Sequence, residues 1–247
     1  MIVIDNCCGD IMKLGIMQPY LFPYIGYFQL INAVDVFVFH DDVQYIKRGW
    51  INRNTILYSG GNMPSTLFTF SVKYDMFGKK INERQYSDVF STEAKRLLKT
   101  LYYTYHKAPY YADTIELIRE ILTCNDRCVS QYNTYSLQKV AEYLGIKTRF
   151  LLSSTLKIPP ELKAQNRVLW LCKYLGATAY INAIGGQNLY SEETFVREGL
   201  QLHFLKAGDI SYQQFGDVFV PNLSIIDVMM FNSPQDIRDL LEVYRLT

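Results

Sequence analysis

LGIMQPYLFPYIGYFQLINAVDVFVFHDDVQYIKRGWINRN, residues Leu14 to Asn54, spells a β-α-β unit with polar groups massed after its second strand. Leu14–Met17 is too short for a helix. Gln18-Pro19 stops it, because proline lacks a donor for the sheet and restricts the residue before it. Pro23 suits the first turn of a helix running from about Tyr24 to Ala33, where Ile25, Phe28, Leu30 and Ile31 form an apolar stripe. Asp35–Phe39 follows as a second strand, apolar on both faces, as a parallel strand covered on both sides requires. His40, Asp41, Asp42, Gln44, Lys47, Arg48, Asn52, Arg53 and Asn54 come directly after it. Ligands of open α/β sheets bind outside the carboxyl ends of the strands, and helix N-termini favour anions, so this loop is the first candidate site.

Working outward, Thr55–Tyr58 and Ser65–Val72 flank Ser59-Gly60-Gly61-Asn62 and predict a β-hairpin. Lys73–Ser91 has weak periodicity and reads as loop. Three amphipathic helices are expected next: one capped by Ser91 or Thr92 and running to about Tyr105, then Tyr110–Thr123, then Asp126–Leu144, stopped by Gly145. His106 closes the first, either complementing the helix dipole or reaching the site as an acid, base or phosphate contact. The α/β rhythm then returns. Lys147–Leu152 is a strand leading to Ser153-Ser154, and Ala164–Leu175 is a helix stopped by Gly176. Ala179–Asn182 is a strand leading to Gly185-Gly186, Ser191–Glu198 a helix capped by Ser191, and Leu200–Leu205 a last strand. In the tail, Ser224 reads as an N-cap with Asp227 completing a capping box, and Ser233-Pro234 opens the final helix.

The expected architecture is therefore α/β: a Rossmann-like doubly wound, mainly parallel five-stranded sheet in the order 3-2-1-4-5, carrying an inserted hairpin and helical layer. Residues 12–247 read as a single domain, with 55–145 inserted in it. Residues 1–11 read as a loose extension or a start-site artefact. That strand order gathers Gln18–Tyr24, Asp41–Asn54, Ser153-Ser154 and Gly185-Gly186 onto one rim. Glycines without side chains let backbone N–H groups approach a phosphate or sugar.

Composition bounds the function. With 247 residues, 49% hydrophobic and 20% charged, the chain is globular, and its net charge of +1 gives no general case for nucleic acid or an anionic membrane. Cys7, Cys8, Cys124, Cys128 and Cys172 match no zinc spacing, and their odd number argues against a disulfide framework, so reduced thiols in a cytoplasmic protein are expected. No run reaches the length of a membrane span, and no metal site is read. The chain has neither GxGxxG nor a Walker lysine, which argues against NAD enzymes and P-loop kinases, and Ser153-Ser154 lacks a GxSxG setting.

Gln18-Pro19, Pro23, Gly26-Tyr27, Asp35-Val36, Asp41-Asp42-Val43-Gln44 and Asn52-Arg53-Asn54 resemble the pattern of the WbqC-like proteins, often encoded in bacterial O-antigen and polysaccharide loci. Ser153-Ser154, Arg167, Tyr180, Gly185-Gly186 and Leu223–Asp227 look like further family positions. The segment after Asn54 departs from the pattern, lacking its usual tryptophan-bearing strand. The resemblance implies transfer of glycine or another amino-acyl group to an amino sugar. Gln18, Tyr27, Gln44, Lys47, Arg48, Asn52, Arg53, Asn54, Ser153, Ser154, Gly185 and Gly186 are the residues expected around the substrate. In an acyl or nucleotidyl transferase, Lys47, Arg48 and Arg53 would steady negative charge, Asp41 or Asp42 would hold a metal or act as general base, and His106 would serve as an acid, base or phosphate contact. ATP and Mg2+ are the cofactors considered, and a nucleotide, amino acid or nucleotide sugar the small-molecule substrate. A non-catalytic binding protein of the same pathway stays open beside it.

Overall fold

The computed structural model describes residues 11–58, 64–76 and 78–247. Its centre is the expected unit: strand β1 (Lys13–Met17), helix α1 (Ile25–Asn32) and strand β2 (Val36–Phe39). All four residues of β2 are buried, each burial worth roughly 2 kcal/mol of transfer free energy. The hairpin is β3 (Arg53–Leu57) against β4 (Ser65–Thr69), in antiparallel register. The expected tip at Ser59–Asn62 lies outside the described residues. Helices α2 (Phe90–Tyr105), α3 (Tyr111–Thr123) and α4 (Val129–Leu144) follow. Then come β5 (Arg149–Leu152), α5 (Ala164–Leu175), β6 (Ala179–Ala183), α6 (Glu192–Arg197) and β7 (Gln201–Ala207). Helices α7 (Ile225–Phe231) and α8 (Pro234–Leu241) and strand β8 (Tyr244–Leu246) complete the chain.

The main sheet has six strands, not five, in the order β5-β2-β1-β6-β7-β8. Five are parallel to their neighbours and run in the expected order, while β8 adds an antiparallel edge along β7. Three residues at the chain end carry no alternation that sequence reading could detect. The chain leaves β1 toward β2 and β5, then returns past β1 to β6. Right-handed crossovers therefore put α1 and α5 on opposite faces. Phe37 and Phe39 pack with Phe28, Ile31 and the helical layer, whereas Val36 and Val38 pack with Leu14, Ile16 and the α5 residues Val168, Leu171 and Cys172.

Local chemistry set several helix ends. Gly145 and Gly176 terminate α4 and α5 at φ +74, a left-handed conformation that glycine adopts without steric cost. Ser233 and Asp236 form a reciprocal capping box on α8. Two expected starts and one expected capping bond are corrected. Helix α2 begins at Phe90, with Val89 and not Ser91 or Thr92 before it, because Phe90 is buried against Phe70, Tyr86 and Tyr132. Helix α4 begins at Val129, three residues late, after Asp126 has turned its carboxyl to the Cys128 N–H. Ser191 precedes α6 without a capping side-chain bond. Cys124, Cys128 and Cys172 are free thiols, as expected, and burial pushes Cys172 up to about 12, which leaves it inert at neutral pH.

Candidate functional site

Strand register builds the site. Met17, Phe39 and Leu152 are level across β1, β2 and β5, so Gln18, His40 and Ser153 leave the sheet together. Asp41 and Asp42 then meet Ser153-Ser154, which fold into a short 3-10 turn through Thr155.

Asp41 is fully buried. Its Oδ1 accepts the Ser154 N–H at 2.9 Å and lies 3.1 Å from the Ser153 hydroxyl, whose single proton it shares with Asp42. Its Oδ2 accepts the hydroxyls of Ser154 at 2.7 Å and Ser130 at 3.0 Å. Ser130 lies in the first turn of α4, whose positive end favours a carboxyl there. One side chain thus ties the ends of β2 and β5 to the inserted helical layer. Its main chain adds to this, the Asp41 carbonyl accepting the Asn82 N–H at 3.0 Å.

Asp42 faces outward from the same turn. Arg167, on α5, reaches both its carboxyl oxygens through Nη2, at 2.6 Å for Oδ1, and Ser153 also donates to Oδ1. Burial works to raise this carboxyl, but the bonds from Ser153 and Arg167 and the guanidinium charge outweigh it and hold it below the usual range. His40 completes the group. Burial and the Arg167 charge, opposed by Asp42 and Asp41, push its imidazole down to about 4, so it is neutral at neutral pH. Its Nε2 is buried and has no hydrogen-bond partner among the described residues.

The structure therefore brings Asp41, Asp42, Ser153 and Ser154 together and adds His40, Arg167 and Ser130. Ser130 carried no sequence signal, since a helical serine is commonplace. The other candidates lie elsewhere or turn inward. Tyr27 is buried and donates to the Gln18 carbonyl at 2.8 Å, while the Gln18 side chain is near the Tyr20 hydroxyl at 3.5 Å. Asn52 accepts the Tyr45 hydroxyl and donates to the Phe70 carbonyl, and Asn54 donates to that of Phe22. Arg53 binds the carbonyls of Gly49 and Arg48, clamping the turn in which Arg48 takes φ 62. Gln44 and Lys47 are exposed, with Lys47 5.4 Å from the Tyr74 ring centre. His106 ends α2, exposed and stacked on Tyr102. Gly185 and Gly186 stand at the end of β6, on the other side of β1. A side chain at Gly186 would run into Asn182, whereas the space at Gly185 is open.

A cavity of about 350 Å³ opens on the same rim between Tyr24, Ile25, Asp209, Tyr212 and Asn222. Asp227 behind it is not the capping residue expected. It is buried and accepts from the hydroxyls of Tyr105 and Tyr212 and the Gln214 amide, at 2.6, 2.7 and 2.7 Å. Burial outweighs those bonds and raises its carboxyl. Among the described residues, no three His, Cys, Asp or Glu side chains converge on a point, and no helix is long and apolar enough to cross a membrane.

Fold and rim together define an α/β protein with a polar, charge-paired cluster at the carboxyl ends of a mostly parallel sheet. The chain belongs to the WbqC-like protein family, whose model matches residues 18–239. It is also 30% identical over 236 residues to a Mycobacterium tuberculosis protein named Uncharacterized protein Rv1507c, covering 94% of this chain and 99% of that one. No solved structure matches it.

Proposed function

We propose that this chain is a cytoplasmic transferase of bacterial surface-polysaccharide (O-antigen) assembly, moving an amino-acyl group such as glycyl onto an amino sugar or nucleotide sugar. It does so as one Rossmann-like, doubly wound α/β domain over residues 12–247, with 55–145 inserted. The observation that carries this reading is the neutral His40 imidazole, its Nε2 unpartnered beside the Asp42–Arg167 pair. In acyl transfer to an amine, the nitrogen lone pair attacks the activated carbonyl carbon and the C–N bond forms. The bond to the donor's leaving group then breaks, and that group departs with its electron pair. The attacking nitrogen becomes acidic as it bonds, so a weakly basic imidazole suffices to take its proton at Nε2. The charges of Arg167 and Asp42 act on that imidazole in opposite directions, and Asp41 fixes the turn beneath them. Both carboxyls are occupied by protein donors, so neither offers free oxygens to Mg2+ as they stand.

The same saturation favours a second reading, a non-catalytic binder of these ligands. Thermal-shift screening of nucleotides, amino acids and nucleotide sugars on wild type, Asp42→Asn and Arg53→Ala, with mass spectrometry for an aminoacylated sugar, separates the two. Transfer predicts a product that His40→Gln abolishes while ligand stabilisation persists. Binding without any product supports the second reading, and the absence of both removes the site.

A further inference from the structure

Arg84 is 4% exposed, yet its guanidinium makes no hydrogen bond or ion pair with any described residue, and its Nε and Nη1 are both buried and unpartnered. Buried arginines are ordinarily paired, because leaving such a charge uncompensated is costly. The Tyr45 ring lies 5.1 Å from the guanidinium carbon, and the Asp75 carboxyl is near enough to feel the Arg84 charge without bonding to it. Tyr45 in turn leads into the exposed, turn-rich loop Ile46–Trp50.

The segment is rich in cations. From Gln44 to Arg84 it holds seven Lys or Arg and two Asp or Glu, a formal charge of +5 in a chain of +1, with Lys73 paired to Asp88 just beyond it. Of the two acids, Asp75 is bonded to Lys79 and also feels the Arg84 charge, and Glu83 caps the turn at Lys80. Arg53 is the second cation near Tyr45: burial raises the Tyr45 phenol, and the charges of Arg84 and Arg53 both work to lower it. The N-terminus of α4 lies alongside, with the Val129 N–H donating to the Arg84 carbonyl at 2.9 Å. Flat aromatic surface is exposed on the same segment at Trp50 and Tyr74. The segment is fastened to the rim, because Tyr45 N–H donates to Lys79, Ile81 N–H to Val43 and Asn82 N–H to Asp41.

We propose that Arg84, with the Tyr45 ring and the nearby charge of Arg53, whose Nε and Nη2 already serve the Gly49 and Arg48 carbonyls, forms an anion subsite that takes a phosphoryl or pyrophosphoryl group. A guanidinium fork with two unsatisfied N–H edges matches phosphate oxygens, and the adjacent ring surface accepts a base or sugar attached to them. The subsite deepens the transferase reading by naming the charged part of its ligand, and it can be tested without turnover.

The probe is inorganic pyrophosphate at constant ionic strength, followed by calorimetric titration and thermal shift on wild type, Arg84→Gln and Arg84→Lys. The expected result is pyrophosphate binding by wild type, weakened about 100-fold in Arg84→Gln and partly restored in Arg84→Lys. Without ligand, Arg84→Gln should melt at or above the wild-type temperature, since it removes a buried charge that has no hydrogen-bonded partner among the described residues. A purely structural arginine gives the opposite pattern: a lowered melting temperature and unchanged pyrophosphate affinity. That result, or no pyrophosphate binding by wild type, overturns the subsite. A nucleoside diphosphate and phosphatidylglycerol vesicles are run in parallel, and binding to vesicles alone also overturns it. Pyrophosphate binding without any transfer product leaves the subsite standing and removes only the transferase reading.

Discussion

Replacing Asp41 separates an anchoring carboxyl from a reacting one. The native side chain accepts three hydrogen bonds of its own, from the Ser130 and Ser154 hydroxyls and the Ser154 main chain, and shares the single Ser153 proton with Asp42. Asparagine keeps the shape. Its oxygen can face the Ser154 N–H, and its amide can face Ser130 and Ser154, whose hydroxyls rotate to accept. What is lost is charge assistance at two or three bonds, about 1 kcal/mol each, so Asp41→Asn should cost about 2–3 kcal/mol. Alanine removes every acceptor and leaves a small void where β2, β5 and α4 meet, so Asp41→Ala should cost about 4–5 kcal/mol. Urea unfolding followed by far-ultraviolet circular dichroism measures both, with the slope checked for constancy so that midpoint shifts report stability. Asp41→Asn should retain ligand stabilisation, because Asp42, Arg167 and His40 stay in place. An alanine variant within 1 kcal/mol of wild type, or an asparagine variant that keeps its stability but loses all ligand response, refutes the anchoring role.

Acid should weaken the fold through His40. Its native value of about 4 lies below the usual 6.5, so the unfolded chain protonates first as pH falls, and stability drops between 6.5 and 4 by at most about 3 kcal/mol. His40→Gln should flatten that part of the profile, and superimposable curves would contradict it. For the Asp42–Arg167 pair, Asp42→Asn and Arg167→Gln should each cost about 2 kcal/mol, with a coupling of at least about 1 kcal/mol in the double-mutant cycle. Strict additivity would show that the pair does not interact. Asp227→Ala strands the hydroxyls of Tyr105 and Tyr212 and the Gln214 amide, at a cost of about 3 kcal/mol. Limited proteolysis should then cut within residues 208–223 faster than in wild type, and equal cutting rates would contradict that anchorage.

Most of the framework was legible because its causes are local. Pro19 and the glycines after α4 and α5 punctuate the chain wherever they fall, and the apolar run of β2 announces burial on both faces. The misreadings arose where tertiary partners outbid local preference. Asp227 sits at the right spacing for a cap but turns inward to two tyrosines and a glutamine from distant segments. Phe90 pulls the start of α2 ahead of two good capping residues because an aromatic cluster waits for it. In the site, Asp41, Asp42, Ser153 and Ser154 could be read because they follow directly on strands whose register brings them level. Asn52, Asn54 and Arg53 look like ligand contacts in sequence and serve backbone carbonyls in space. Arg84 was passed over as loop, since nothing in a linear chain distinguishes a solvated arginine from an enclosed one.

The position of β1 has a consequence for synthesis. Lys13 is level with Ala179 in the finished sheet, so one flank of this strand waits while roughly 160 further residues leave the ribosome, about 10–30 s at ordinary elongation rates. Throughout that interval an apolar ribbon with open N–H and C=O groups faces the crowded cell, where other nascent chains compete for it. Slowed translation between α1 and β6, or depletion of the factors that shield emerging polypeptides, should therefore lower the yield of folded product more than an equal delay after β7.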